Sequence, residues 1–201
     1  MGTRYGGLRM NRRWVVAAMA IALVSGMAAE ADEPGDSVYG RWPSSLGYSL
    51  NVVSGAGLSW QRWYGPIGVA VTAGGVYNED TVNATSTFDY TTVVLDYNAQ
   101  LRLSRMLFAA EYSSALSTNL QAVALLAHRG YIACEETGYD PETYETIYER
   151  LPFAAEFMVG TGVAVELTYF EHLSQTVDFL YAASWPPELS IAAGWSMRYR
   201  Y

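Results

Sequence analysis

From residue 46 to the chain end, apolar and polar residues alternate in runs that read as β-strands, because successive strand side chains point to opposite faces. The pattern is clearest over 188–201, ELSIAAGWSMRYRY. Leu189, Ile191, Ala193, Trp195, Met197, Tyr199 and Tyr201 take every second place, with Ser190, Ala192, Gly194, Ser196, Arg198 and Arg200 between them. At ~3.3 Å per residue and a tilt of ~45°, a strand of this length covers roughly 30 Å, the thickness of a bilayer core.

Seven earlier runs behave similarly. Residues 46–52, 58–62 and 67–77 give three strands, with a tight turn at Gly65-Pro66 between the second and third. A polar loop at 78–89 leads to a fourth strand over 93–104. Residues 105–117 lose the alternation, and Met106, Leu107 and Ala110 predict a short helical connection. The fifth strand, 118–132, is apolar on both faces through LQAVALLAH, and its period alone also permits a helix. The sixth spans 153–168 and the seventh 172–183, with a turn at 169–171, and Trp185-Pro186-Pro187 turns into the last. The sum is eight strands.

An even set of long two-faced strands that closes on an aromatic, Tyr201, resembles the small bacterial outer-membrane β-barrels. The resemblance covers 45–201 and implies an all-β, eight-stranded, antiparallel up-and-down transmembrane barrel. It also implies a monomer embedded in outer-membrane lipid, with Tyr199 and Tyr201 read by the barrel-assembly machinery. With the C-terminus on the periplasmic side, the turns at 65–66, 105–117 and 169–171 are periplasmic, and the longest connection, 133–152, lies outside. Trp60, Trp63, Tyr64, Tyr169, Phe170, Tyr199 and Tyr201 then form one interfacial belt. Tyr77, Tyr90, Tyr131, Phe153, Tyr181 and Trp185 form the other.

The rival fold is a soluble ligand-binding barrel with its apolar face inward. The opposite face decides against it, being largely Gly, Ala, Ser and Thr with isolated charges, which suits the narrow interior of eight strands. Those charges are Asp96, Arg102, Glu156, Glu166, Asp178, Arg198 and Arg200. Enclosed charges need partners, so a network is expected in which Glu166 bridges Arg198 or Arg102.

The N-terminus reads as a secretory leader over 1–31. Arg12 and Arg13 precede an apolar run from Trp14 to Ser25, and Ala29-Glu30-Ala31 supplies a cleavage site. The run is shorter than the ~20 residues of a spanning helix, which disfavours an anchor. Met10 is an alternative start. Residues 32–44 mix acids with Pro and Gly and read as a flexible exported segment.

Beyond the leader, eight Arg stand against nineteen acids, a net charge of −11, and the chain has no Lys. That acidity argues against a nucleic-acid partner. Cys134, the one cysteine, can form no internal disulfide, and His128 and His172 have no second ligand at metal spacing. No nucleophile elbow, phosphate loop, zinc or calcium pattern occurs, so no cofactor and no enzyme activity is expected. His128, near the outer rim, is the only catalytic candidate. In 133–152, Asp140-Pro141 predicts a helix start, with Tyr144, Ile147, Tyr148 and Leu151 on one side. That side either caps the barrel mouth or contacts an extracellular partner. The functional expectation is a structural or surface-interaction protein of the outer membrane, for envelope integrity or adhesion, with a narrow pore for small solutes or a soluble ligand-binding barrel as the alternatives.

Overall fold

The computed structural model describes residues 37–52, 54–77, 93–142, 145–185 and 188–201. All lie within one compact unit, Ala31–Tyr201. The leader, the loop at 78–89, Tyr90 and Tyr144 fall outside the described residues.

Among the described residues, one short helix, α1 (Val38–Arg41), precedes nine strands: β1 (Ser44–Asn51), β2 (Gly55–Tyr64), β3 (Ile67–Tyr77), β4 (Val93–Ser113), β5 (Leu116–Asp140), β6 (Glu145–Arg150), β7 (Ala154–Tyr169), β8 (Leu173–Trp185) and β9 (Glu188–Arg200). Eight of them pair antiparallel in sequence order, β6 being skipped. β9 returns to β1 through Leu46↔Tyr199 and Leu50↔Trp195, so the sheet closes into an up-and-down barrel.

Closure satisfies every ladder without leaving an edge, which is the only way strands can stand in hydrocarbon. The alternation sets which face goes where. Leu189, Ile191, Phe179 and Val163 point outward, 71%, 71%, 59% and 49% exposed, whereas Ala192, Ser196 and Arg200 point inward at 0%, 1% and 0%. The apolar face is therefore the outside.

Two expectations are corrected. The stretch 105–117 is strand and hairpin rather than helix, because β4 runs on to Ser113, turns at 114–115 and returns as β5. Register shifts between Met106 and Phe108, and between Glu111 and Ser113, each displace the phase by one residue. Such bulges erase alternation without ending the strand.

The helix expected after Asp140-Pro141 is also absent. β5 continues to Asp140, and β6 pairs with it through Cys134↔Arg150, Glu135↔Glu149 and Tyr139↔Thr146. An isolated short helix gains little in water, whereas Thr146, Ile147 and Tyr148 are good strand formers beside an extended edge. Ile147 and Tyr148 thus belong to a two-stranded arm beyond the barrel, not to a helix face.

The described part of 32–44 holds α1. Ser37 caps α1 through its side chain, and Val38 and Tyr39 are each 1% exposed. The segment carries apolar side chains that the mouth of the barrel can bury.

Candidate functional site

The lumen holds most of the charged side chains singled out from the sequence, in tiers set by strand register. At the short-turn end, Glu166 and Arg200 form an ion pair with both side chains 0% exposed. Glu166 also accepts from Gln121 Nε2 at 2.8 Å and from Asn119 Nδ2 at 3.3 Å. Buried charges persist only when paired and hydrogen-bonded, and this carboxylate is both.

One tier further in, Arg102 donates to Asp178 at 2.8 Å, to Gln121 Oε1 at 3.1 Å and to Ser104 at 3.2 Å. Gln121 therefore joins the two ion pairs, accepting from Arg102 and donating to Glu166. Arg198 has no carboxylate partner among the described residues. It donates instead to Gln61 at 2.9 Å, Ser59 at 3.1 Å and Thr176 at 3.4 Å. The expected bridge is thus corrected, since Glu166 takes Arg200 rather than Arg198 or Arg102. Strand position explains it: Glu166 and Arg200 lie near the same mouth, while Arg102 stands opposite Leu125 and nearer Asp178. A Cβ at Gly194 would collide with the Asp178 carboxylate, so that strand position leaves the acid its room.

On the β5, β7, β8 and β9 side the filling then turns apolar. Val123, Leu125, Ala127, Met158, Leu180, Ala182 and Ala192 pack together. This explains why LQAVALLAH is apolar on both faces: one face meets the outside and the other meets this cluster. At the long-loop end, Asp96 receives Arg129 in a forked pair at 3.0 and 2.5 Å, and Tyr131 donates to Glu156 at 3.2 Å.

The short-turn mouth is stoppered by α1. Tyr39 sits edge-on to Trp63, ring centroids 5.8 Å apart, and the Arg200 guanidinium lies 4.6 Å over the Tyr39 ring. Trp63 is therefore inside, 3% exposed, and leaves the expected interfacial belt. It continues the inward row of Ser59 and Gln61. Burial, reinforced by the Glu166 carboxylate, pushes the Tyr39 hydroxyl above the ordinary phenol range and keeps it neutral.

Polar groups fix the helix from outside. Glu111 accepts from the Val38 amide at 2.5 Å and lies 3.7 Å from Arg41. Glu171, in a turn where it and Phe170 adopt φ of 65° and 50°, accepts from Arg41 at 3.2 Å and Trp42 at 3.3 Å. Cutting the Glu111 tether should loosen the stopper while leaving the barrel intact. Glu111→Ala is expected to speed tryptic cleavage at Arg41 about tenfold, since a charge-assisted hydrogen bond contributes about 1.5–3 kcal/mol. Unchanged protection on a gel would remove Glu111 from this role.

The remaining candidates lie on the surface. Tyr199 and Tyr201 are exposed at the closing seam, with the Tyr201 amide donating to the Ser44 carbonyl at 2.8 Å. His128 faces outward between Phe157 and Tyr97, with ring centroids 4.5 and 5.6 Å away. Among the described residues no group of three His, Cys, Asp or Glu is placed to hold a metal ion. No helix of the described residues is long and apolar enough to cross a membrane, which says nothing of strands.

Sequence reading missed Arg129, Gln121 and the stopper. The first two were reachable, because Asn119, Gln121 and Arg129 keep one parity through the apolar run. Tyr39 and Trp63 had no such signal, since it takes the closed ring to bring them together.

An eight-stranded, inside-out antiparallel barrel with a charge-paired lumen is the architecture of a small outer-membrane β-barrel. No family model and no curated protein matches the sequence. Among solved structures, the chain is similar to Ail, the attachment invasion locus protein of Yersinia pestis, in two crystal structures. One, in complex with the heparin analogue sucrose octasulfate, is 9% identical, covering 79% of this chain and 97% of that one at a TM-score of 0.34. The other is 8% identical with the same coverage and TM-score.

Proposed function

We propose that this chain is a non-catalytic outer-membrane barrel that serves the envelope as a sealed, surface-presenting scaffold. The observation that carries this reading is the side-chain-filled lumen inside an apolar wall. Paired charges fill it from Arg200 to Asp178, an apolar cluster packs the middle of one side, and α1 closes one mouth. Nothing in that arrangement presents a reacting group to a substrate, and an eight-stranded interior filled by side chains has no room for a wide channel.

What remains for recognition is the long-loop end, where the β5–β6 arm extends beyond the ring and exposes Glu135, Tyr139 and Glu149. An outward arm of this kind suits adhesion or contact with an extracellular partner. Fractionation of expressing cells, with gel migration before and after boiling, tests the placement. The protein should follow the outer membrane and migrate differently when heated. Recovery in the aqueous fraction would overturn it. In planar bilayers the refolded protein should give no conductance steps above background, and stable steps would replace the scaffold with a pore.

A further inference from the structure

The arm beyond the ring ends in an open edge. Among the described residues β6 pairs with β5 alone and closes the order of the sheet, so its far side offers a row of strand backbone for pairing. It contains neither Lys nor Pro, two of the residues that commonly blunt such an edge. The charge around it is one-sided. Residues 134–150 hold six acids and a single base, Arg150. Two of the register pairs set acid directly opposite acid, Glu135↔Glu149 and Asp140↔Glu145. Like charges so placed destabilise a ladder, and a cationic neighbour would relieve them.

Alternation along β6 sorts these positions. Glu145, Ile147 and Glu149 share one parity, with Asp140 and Glu135 standing opposite its two acids. That parity reads acid, apolar, acid, whereas the other holds Thr146, Tyr148 and Arg150. We propose that β6 accepts an added strand from an extracellular polypeptide whose sequence runs basic, any, apolar, any, basic. Main-chain hydrogen bonds along the open edge supply the attachment, and alternate side chains choose the partner. Cross-strand pairing then sets the two bases beside Glu145 and Glu149 and the apolar residue beside Ile147. The same acids turn away a second copy, whose arm would bring six more acids to the edge. The inference rests on the reading of the arm as an outward recognition element.

The test uses the full mature chain refolded in detergent, with heat-modifiable migration confirming a folded barrel for each variant. Fluorescence anisotropy at low salt follows a labelled Thr-Lys-Thr-Val-Thr-Lys-Thr peptide, which has the required spacing. Moving one lysine a single place, to Thr-Lys-Thr-Val-Lys-Thr-Thr, keeps the composition and breaks the parity. The first peptide should bind about fivefold more tightly than the second, the worth of one cross-strand ion pair. A Glu145→Lys/Glu149→Lys variant should lose about tenfold or more of the affinity for the first peptide and gain affinity for its Glu-for-Lys counterpart. No binding of the first peptide, equal binding of the two lysine peptides, or equal binding by wild type and variant would overturn the site. So would wild-type oligomers that the variant dissolves, because they would assign the edge to a second copy. Binding to the refolded protein but not to intact expressing cells supports the site and overturns the outward placement of the arm.

Discussion

Replacing Glu166 by alanine will lower the stability of the folded barrel by about 3–5 kcal/mol, read as an earlier urea midpoint in lipid vesicles. The size follows from what is left behind. Arg200 is 0% exposed, and Glu166 is its one carboxylate partner among the described residues, so the variant strands a buried cation that cannot lose its proton. Gln121 and Asn119 lose their shared acceptor at the same time. The Arg102–Asp178 pair does not compensate, because its carboxylate is already engaged at 2.8 Å. A Glu166→Met/Arg200→Met double variant should recover much of the loss, since well-packed apolar residues often equal a buried ion pair. A single variant within about 0.5 kcal/mol of wild type would mean that water reaches this tier, contrary to the packing described.

The second large effect lies on the opposite face. Val163→Arg, midway along β7, should destabilise the protein in bilayers by about 2–4 kcal/mol, the cost of a cation on a barrel's lipid face near the midplane. Val163 is 49% exposed and stands between Ala122 and Phe179, both on the outward face. In water such a surface change would be worth no more than about 0.5 kcal/mol. Phe170→Arg, in an exposed hairpin turn, serves as the control that should stay near zero. Comparable small effects at both positions would show that solvent, not hydrocarbon, meets this wall.

Sequence carried the ring and its orientation because a period of two is a local signal, repeated in each of eight strands. Leu189 and Arg200 can be assigned to opposite faces from their own neighbours alone. Where the signal failed, something non-local had intervened. The bulges after Met106 and Glu111 break the phase of β4, so a twenty-one-residue strand read as a shorter one followed by a helix. The β5–β6 arm depends on an edge that exists only because β5 overshoots the ring. The charge set was legible as a face, but its pairing was not. Glu166 chooses Arg200 through the stagger of β7 against β9, two strands away in the sheet, and no pattern within either strand encodes that stagger.

The stopper has a consequence for how the molecule is put together. Its anchors come from distant places in the chain: Glu111 on β4, Glu171 in the hairpin before β8, and Arg200 at the end of β9. No partial assembly offers all three, so α1 has nowhere to dock until the last stave is in place beside the first. The helix therefore works as a seal fitted after the hoop is drawn tight, and a buried Tyr39 certifies that the hoop has closed.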